Sequence, residues 1–233
     1  MRLSTRKAAV VVLVAVSSLL SQAMIASAGH DDDPRTKNVH PMGHIEEPAI
    51  LGGFGGADPD IHTDIAFWGK YAFQGNWDGF NVRNISAPGN PKQVSRTFCD
   101  GNQGDVVVWD DILVRSWNTP AGTPGPFGAG LTCDGQPVTP GFEGLHVFDI
   151  SDLEDPVLIA SVPTPCGSHT ATGVPDLAND RLLVYNSASS ADCPQIDIVE
   201  VPLDDPASAS VLRSEPSGRS CHDTGVILGD AML

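Results

Sequence analysis

The sequence predicts an all-β fold in which a four-stranded antiparallel sheet repeats along the chain, the blade of a β-propeller. Three observations predict it. Short runs rich in Val, Ile, Phe and Trp are separated by Gly, Pro, Asn and Asp, and few stretches carry apolar residues at helical spacing. A hairpin with an Ile-Ser corner and a Pro-closed turn recurs. Each copy of that hairpin is preceded by a second hairpin, which makes four strands per unit.

The first unit covers about 62–98. Asp64 to Trp68 turns at Gly69-Lys70 into Tyr71-Ala72-Phe73. Val82-Arg83-Asn84-Ile85-Ser86 then passes through Asn90-Pro91 into Lys92 to Ser95. The second unit covers about 104–165. Asp105 to Trp109 turns at Asp110-Asp111 into Ile112 to Val114, and a Gly/Pro-rich insertion runs from Asn118 to Gly144. Val147-Phe148-Asp149-Ile150-Ser151-Asp152 then passes Asp155-Pro156 into Val157 to Ala160. The third unit covers about 168–220, with Thr170 to Val174, Arg181 to Tyr185, Ile198 to Pro202 and Ser210 to Leu212 as its runs. One such sheet cannot bury both its faces alone, and stacked blades bury them against each other. The competing architecture is a β-sandwich or jelly roll in which the likeness between units is accidental. Cys221 opens a fourth unit that stops by Leu233. Propellers close with about four to eight blades. The expectation over 62–233 is therefore a partial propeller of about three blades with a fourth truncated, or a ring assembled from several chains. Residues 29–61 form a lead-in, whose Asn38 to His44 stretch is either a ring-closing strand or irregular.

The second unit's Val147-Phe148-Asp149-Ile150-Ser151-Asp152, with Asp155-Pro156-Val157-Leu158, resembles the LVIVD repeat of bacterial and archaeal exported and cell-surface proteins. The likeness runs from Ile61 to about His222 and is weakest in the third unit. Leu153 stands where the repeat usually has Pro, and Arg83 replaces an apolar residue. The resemblance implies a propeller-like fold and an exported setting, and little about chemistry.

The N-terminus agrees with export. Arg2, Arg6 and Lys7 precede an apolar run from Ala8 to Leu20, and Ala26-Ser27-Ala28 is an A-x-A cleavage site, so residues 1–28 read as a signal peptide cut after Ala28. The run is shorter than the ~20 residues a spanning helix needs. Cleavage removes three bases and no acids, which takes the formal charge from -16 to -19. Such a polyanion repels nucleic-acid phosphates and anionic lipid surfaces. Partners are expected to be an unidentified protein or small molecule, not nucleic acid, and the mature chain has no expected membrane span.

The five cysteines are phased. Cys99, Cys166 and Cys221 each follow a fourth strand, whereas Cys133 and Cys193 lie between second and third strands. Both kinds of connection leave an up-and-down blade on the same side. The expected disulfides are Cys99–Cys133 and Cys166–Cys193, with the partner of Cys221 missing. An exported chain retains such bonds.

Candidate chemistry gathers where the first strands begin. His62, Asp64, Asp105, His169, His222 and Asp223 would form a ring at one mouth of the channel, and imidazole and carboxylate together suit a divalent ion. The same residues would equally serve by hydrogen bonding to adjacent turns. Asp149 to Asp155 lacks the Gly and Glu of an EF-hand loop and reads as Asx turns. The four tryptophans read as packing residues. No G-x-S-x-G, H-E-x-x-H, Walker A or dinucleotide fingerprint is present. A non-enzymatic binding or scaffold role is the leading expectation, with Asn118 to Gly144 as recognition loop. The alternatives are a metal-dependent enzyme of oxidase or hydrolase/lactonase type, its metal at the channel mouth, and a structural component of a larger surface protein.

Overall fold

The computed structural model describes residues 61–227 apart from Pro126. The signal peptide and the lead-in up to residue 60 lie outside the described residues. The chain is all-β, with three four-stranded antiparallel sheets and one two-stranded ribbon. The first sheet is β1 (His62–Trp68), β2 (Tyr71–Asn76), β3 (Gly79–Asn84) and β4 (Lys92–Phe98), in that order. The second pairs β5 (Val106–Trp109) with β6 (Ile112–Trp117). After the insertion it adds β9 (Gly144–Asp149) and β10 (Val157–Pro163). The third is β11 (Thr170–Asp176), β12 (Arg181–Ser187), β13 (Gln195–Pro202) and β14 (Ser210–Pro216). The insertion carries a small hairpin that sequence reading did not anticipate, β7 (Thr132–Cys133) and β8 (Gln136–Pro137). Residues 221–227, where a fourth unit was expected, contain no strand.

The three sheets repeat in detail. In each, the pairing of third and fourth strands slips by one residue, leaving Val94, Ile159 and Leu212 unpaired at corresponding places. A bulge of this kind bends the strand and increases its twist. The corner after each third strand is pinned alike: the N–H groups of Ile85, Ile150 and Leu203 donate to the carbonyls of Lys70, Asp111 and Asp180. The Asx turn expected at Asp149 forms, with Asp149 Oδ1 accepting the Ser151 N–H at 2.8 Å, and the first sheet repeats it, with Asn84 Oδ1 accepting the Ser86 N–H at 3.0 Å.

Strand alternation explains the core. Successive side chains point to opposite faces, so a strand covered on both sides must be apolar throughout. In the second sheet Leu113 and Phe148 face the first sheet and pack on Phe73, Phe80 and Val82. Their neighbours Val114 and Val147 face the third sheet and pack on Leu182, Val184 and Val199. Phe80 and Phe148 meet edge to face across the first junction, centroids 5.0 Å apart. Each fully buried side chain of this kind contributes roughly 1.5–3 kcal/mol.

Both expected disulfides are present, Cys99–Cys133 and Cys166–Cys193, and Cys221 is a free thiol. They are consistent with an extracellular protein. Cys99–Cys133 ties the insertion to the end of β4, and Ala121, Ala129 and Val138 bury themselves beneath it. Among the described residues no helix is long and apolar enough to cross a membrane.

Candidate functional site

The beginnings of the first strands are where the sheets clasp one another. Thr63 donates its hydroxyl to the Gly104 carbonyl at 2.7 Å, and Asp64 Oδ2 accepts the Val106 N–H at 3.0 Å. One sheet further on, Asp105 Oδ2 accepts the Ala171 N–H at 3.2 Å. Thr170 donates to the His222 carbonyl, and Thr172 to that of Thr224 at 2.8 Å. Residues 222–224 thus lie against β11 much as 104–106 lie against β1. Asp64 and Asp105, counted among the metal candidates, act here as clasps between sheets.

Because Asp64 holds Val106 as Asp105 holds Ala171, Val106 and Ala171 correspond, and His169 stands where Gly104 does. The contact of Thr170 with residue 222 brings His222 across to His169. Their Nε2 atoms are 3.0 Å apart and their rings meet edge to face at 4.6 Å. His169 Nδ1 lies 2.8 Å from Asn118 Oδ1, and His222 Nδ1 lies 2.8 Å from Asp223 Oδ2. Burial, then the neighbouring His222, holds the His169 pKa below its ordinary value, with Asp223 opposing. The carboxyl of Asp105 is pushed up to about 6, first by burial and then by Asp64, with smaller contributions from Asp223 and His222. His62 is exposed at the start of β1.

The six candidates therefore do not form one ring of ligands. Among the described residues, only Cys99, Cys133 and His146 bring three ligand atoms within 4.8 Å of one another. There the two sulfurs are bonded to each other, so neither is the thiolate that a metal needs. His146 stacks on Phe142 and touches Trp117, with Nδ1 2.9 Å from the Ser161 hydroxyl. Burial drives its pKa down to about 3, so it is a neutral core residue at physiological pH.

Sequence reasoning missed a second feature, a cleft of about 280 Å³ between the second and third sheets. Trp109, Ile112 and Ile159 give it an apolar wall, Leu203 closes it from the third sheet, and Asp110, Asp111 and Asp149 stand around it. The bulge in β10 delivers Ile159 to this wall. The Asp149 carboxylate is held below its ordinary pKa by hydrogen bonds from the Ser151 side chain and backbone, so it remains anionic into the acid range. An aromatic ring beside several carboxylates suits a cation with an apolar skirt. The Asp110-Asp111 pair signalled only a turn in the sequence.

No family model matches the chain, and no curated protein is significantly similar to it.

Proposed function

We propose that this chain is an exported β-propeller of the LVIVD-repeat kind that works as a non-enzymatic binding scaffold at the cell surface or outside the cell. Support for the propeller comes from the sheet-to-sheet clasps of the first strands and from the bulge repeated in all three sheets. Support for export comes from the N-terminal signature and the two disulfides. The observation that carries the binding role is the cleft at Trp109. It offers an apolar wall, a ring face and three carboxylates. Its chemistry selects an alkylammonium or guanidinium group, such as a lysine or arginine side chain presented by a partner.

Calorimetric titration with tetramethylammonium and with a short lysine-rich peptide tests this. The wild-type chain is expected to bind the peptide saturably, more weakly at high salt. Trp109→Ala and Asp149→Asn should each weaken binding about tenfold or more, since cation–π and charged contacts each contribute ~1–2 kcal/mol. Equal binding by the wild type and Trp109→Ala would remove the cleft from the account.

A further inference from the structure

We infer that His169 and His222 form a binding site for a divalent late transition ion, copper(II) above all. The argument begins with hydrogen positions. Asn118 Oδ1 and Asp223 Oδ2 are acceptors, so the ring nitrogens facing them, His169 Nδ1 and His222 Nδ1, carry the N–H groups. In neutral imidazole the other nitrogen is then a bare lone pair. Both Nε2 atoms are of that kind, yet they face each other at 3.0 Å. Two lone pairs at that distance repel, and a positive centre between them removes the repulsion. A proton or a metal ion would serve.

The surroundings are those of a ligand pair. Histidines that bind metals donate their second N–H to a carboxylate or a carbonyl oxygen, which fixes the tautomer and ring orientation. Asp223 and Asn118 supply one acceptor of each type. The Asp105 carboxylate lies close enough to feel both His222 and Asp223, adding negative charge beside the pair. At metal–nitrogen lengths of ~2.0–2.1 Å, two nitrogens 3.0 Å apart subtend an angle of about 90–97° at the ion. That is the angle between neighbouring positions of a square-planar or octahedral ion and is tight for a tetrahedral one. Copper(II) and nickel(II) fit that geometry, and copper(II) binds nitrogen ligands most strongly of the divalent series. The site lies apart from the Trp109 cleft and does not depend on it.

The experiment is a titration of the chain with copper(II), followed by calorimetry and electron paramagnetic resonance. His30, His40 and His44 are further imidazoles in the sequence, so the comparison is between the wild type and His169→Ala, His222→Gln and Asn118→Ala. The His222 side chain is 68% exposed, so its replacement leaves the fold intact. The wild type is expected to take up one more equivalent than either histidine variant and to show the hyperfine pattern of two imidazole nitrogens. Asn118→Ala should keep the site but weaken it by about 10–100-fold, the usual cost of losing such a support. If both histidine variants hold as much copper as the wild type, with the same spectrum, the ion sits adventitiously on the N-terminal histidines and the inference fails. It fails equally if nitrogen-15 spectra of the metal-free chain at pH 7.5 show a proton shared by the two Nε2 atoms while copper leaves both rings unchanged.

Discussion

Replacing Arg115 should cost this protein more than any other single polar substitution on the second sheet. Its side chain is fully buried, and its nitrogens donate to five carbonyls. Nε reaches Gly79 at 3.1 Å, and one terminal nitrogen reaches Asn76 at 2.9 Å, Trp77 at 3.4 Å and Asn102 at 3.1 Å. The other reaches Ser116 at 3.0 Å. The guanidinium thus latches the β2–β3 turn of the first sheet onto β6 of the second. Burial lowers its pKa to about 10, with Asp100 and Asp78 opposing, so it remains charged at neutral pH. Charge-assisted hydrogen bonds contribute roughly 1.5–3 kcal/mol each, and water entering the void recovers part of the loss. The net cost of Arg115→Ala is then about 3–5 kcal/mol. At roughly 2–4 °C per kcal/mol for a chain of this size, the melting point should fall by about 6–20 °C. Arg115→Lys retains the charge without the planar fork and should cost less than alanine. Gly104 sharpens the test, because a Cβ there would lie 2.6 Å from the guanidinium carbon. Gly104→Ala should therefore destabilise the wild type but act more gently in the Arg115→Ala background, a coupling that a double-mutant cycle reads directly. Urea unfolding followed by tryptophan fluorescence measures all five proteins. An Arg115→Ala loss under about 0.5 kcal/mol, within the range of ordinary surface changes, would refute the latch.

Two further outcomes follow from the same packing. His146 is neutral in the fold down to about pH 3, whereas in the unfolded chain it takes up a proton near its ordinary 6.5. Its stability contribution is whole above about pH 6.5 and is lost as pH falls toward 3, on the order of a few kcal/mol. Asp105 has the opposite sign. Its carboxyl titrates at about 6 in the fold against 3.8 unfolded, so stability is gained as pH drops through that window. Unfolding midpoints between pH 3.5 and 7.5 should therefore fall more steeply on acidification in Asp105→Asn and more gently in His146→Phe; parallel curves for all three would show that neither group is coupled to folding. The clasp at Asp64 is local, so Asp64→Ala should speed hydrogen exchange at the Val106 amide by at least about tenfold, the equivalent of ~1.4 kcal/mol, while the Ala171 amide, held by Asp105, keeps its protection. Unchanged exchange at Val106 would mean the clasp bears no strain.

The units, the turns and the cysteine pairs were legible because each is local or periodic. An Ile-Ser corner followed by Pro shows itself within a dozen residues, and cysteines that follow corresponding strands must emerge on the same side. Arg115 was not legible. In Ile-Leu-Val-Arg-Ser-Trp it looks like the outward residue of an alternating strand, yet every position of β6 is buried. Period two tells which residues share a face; it does not tell whether both faces are covered. The bulged residues Val94, Ile159 and Leu212 were hidden for a related reason, since an extra strand residue has the composition of its neighbours. His169 and His222 were named in sequence only as members of a wider set, and their support Asn118 was read only as the start of a loop. A contact between side chains of two units depends on how the sheets clasp one another, which residue type alone does not reveal.

The second sheet gives both candidate sites their positions. Asp105 precedes β5, and Trp109 ends it. Four residues of extended chain span ~13 Å, so the His169–His222 pair near Asp105 and the cleft at Trp109 flank opposite ends of one short strand. Groups farther apart than about 7–10 Å with no shared partner act nearly independently. The strand between them is held on both sides, by the Asp64 clasp to the first sheet and the Asp105 clasp to the third. A rigid strand of this kind fixes the geometry at each end without transmitting occupancy from one to the other. The two ends are thus free to serve different ligands, a metal ion where the first strands begin and a cationic side chain where they turn.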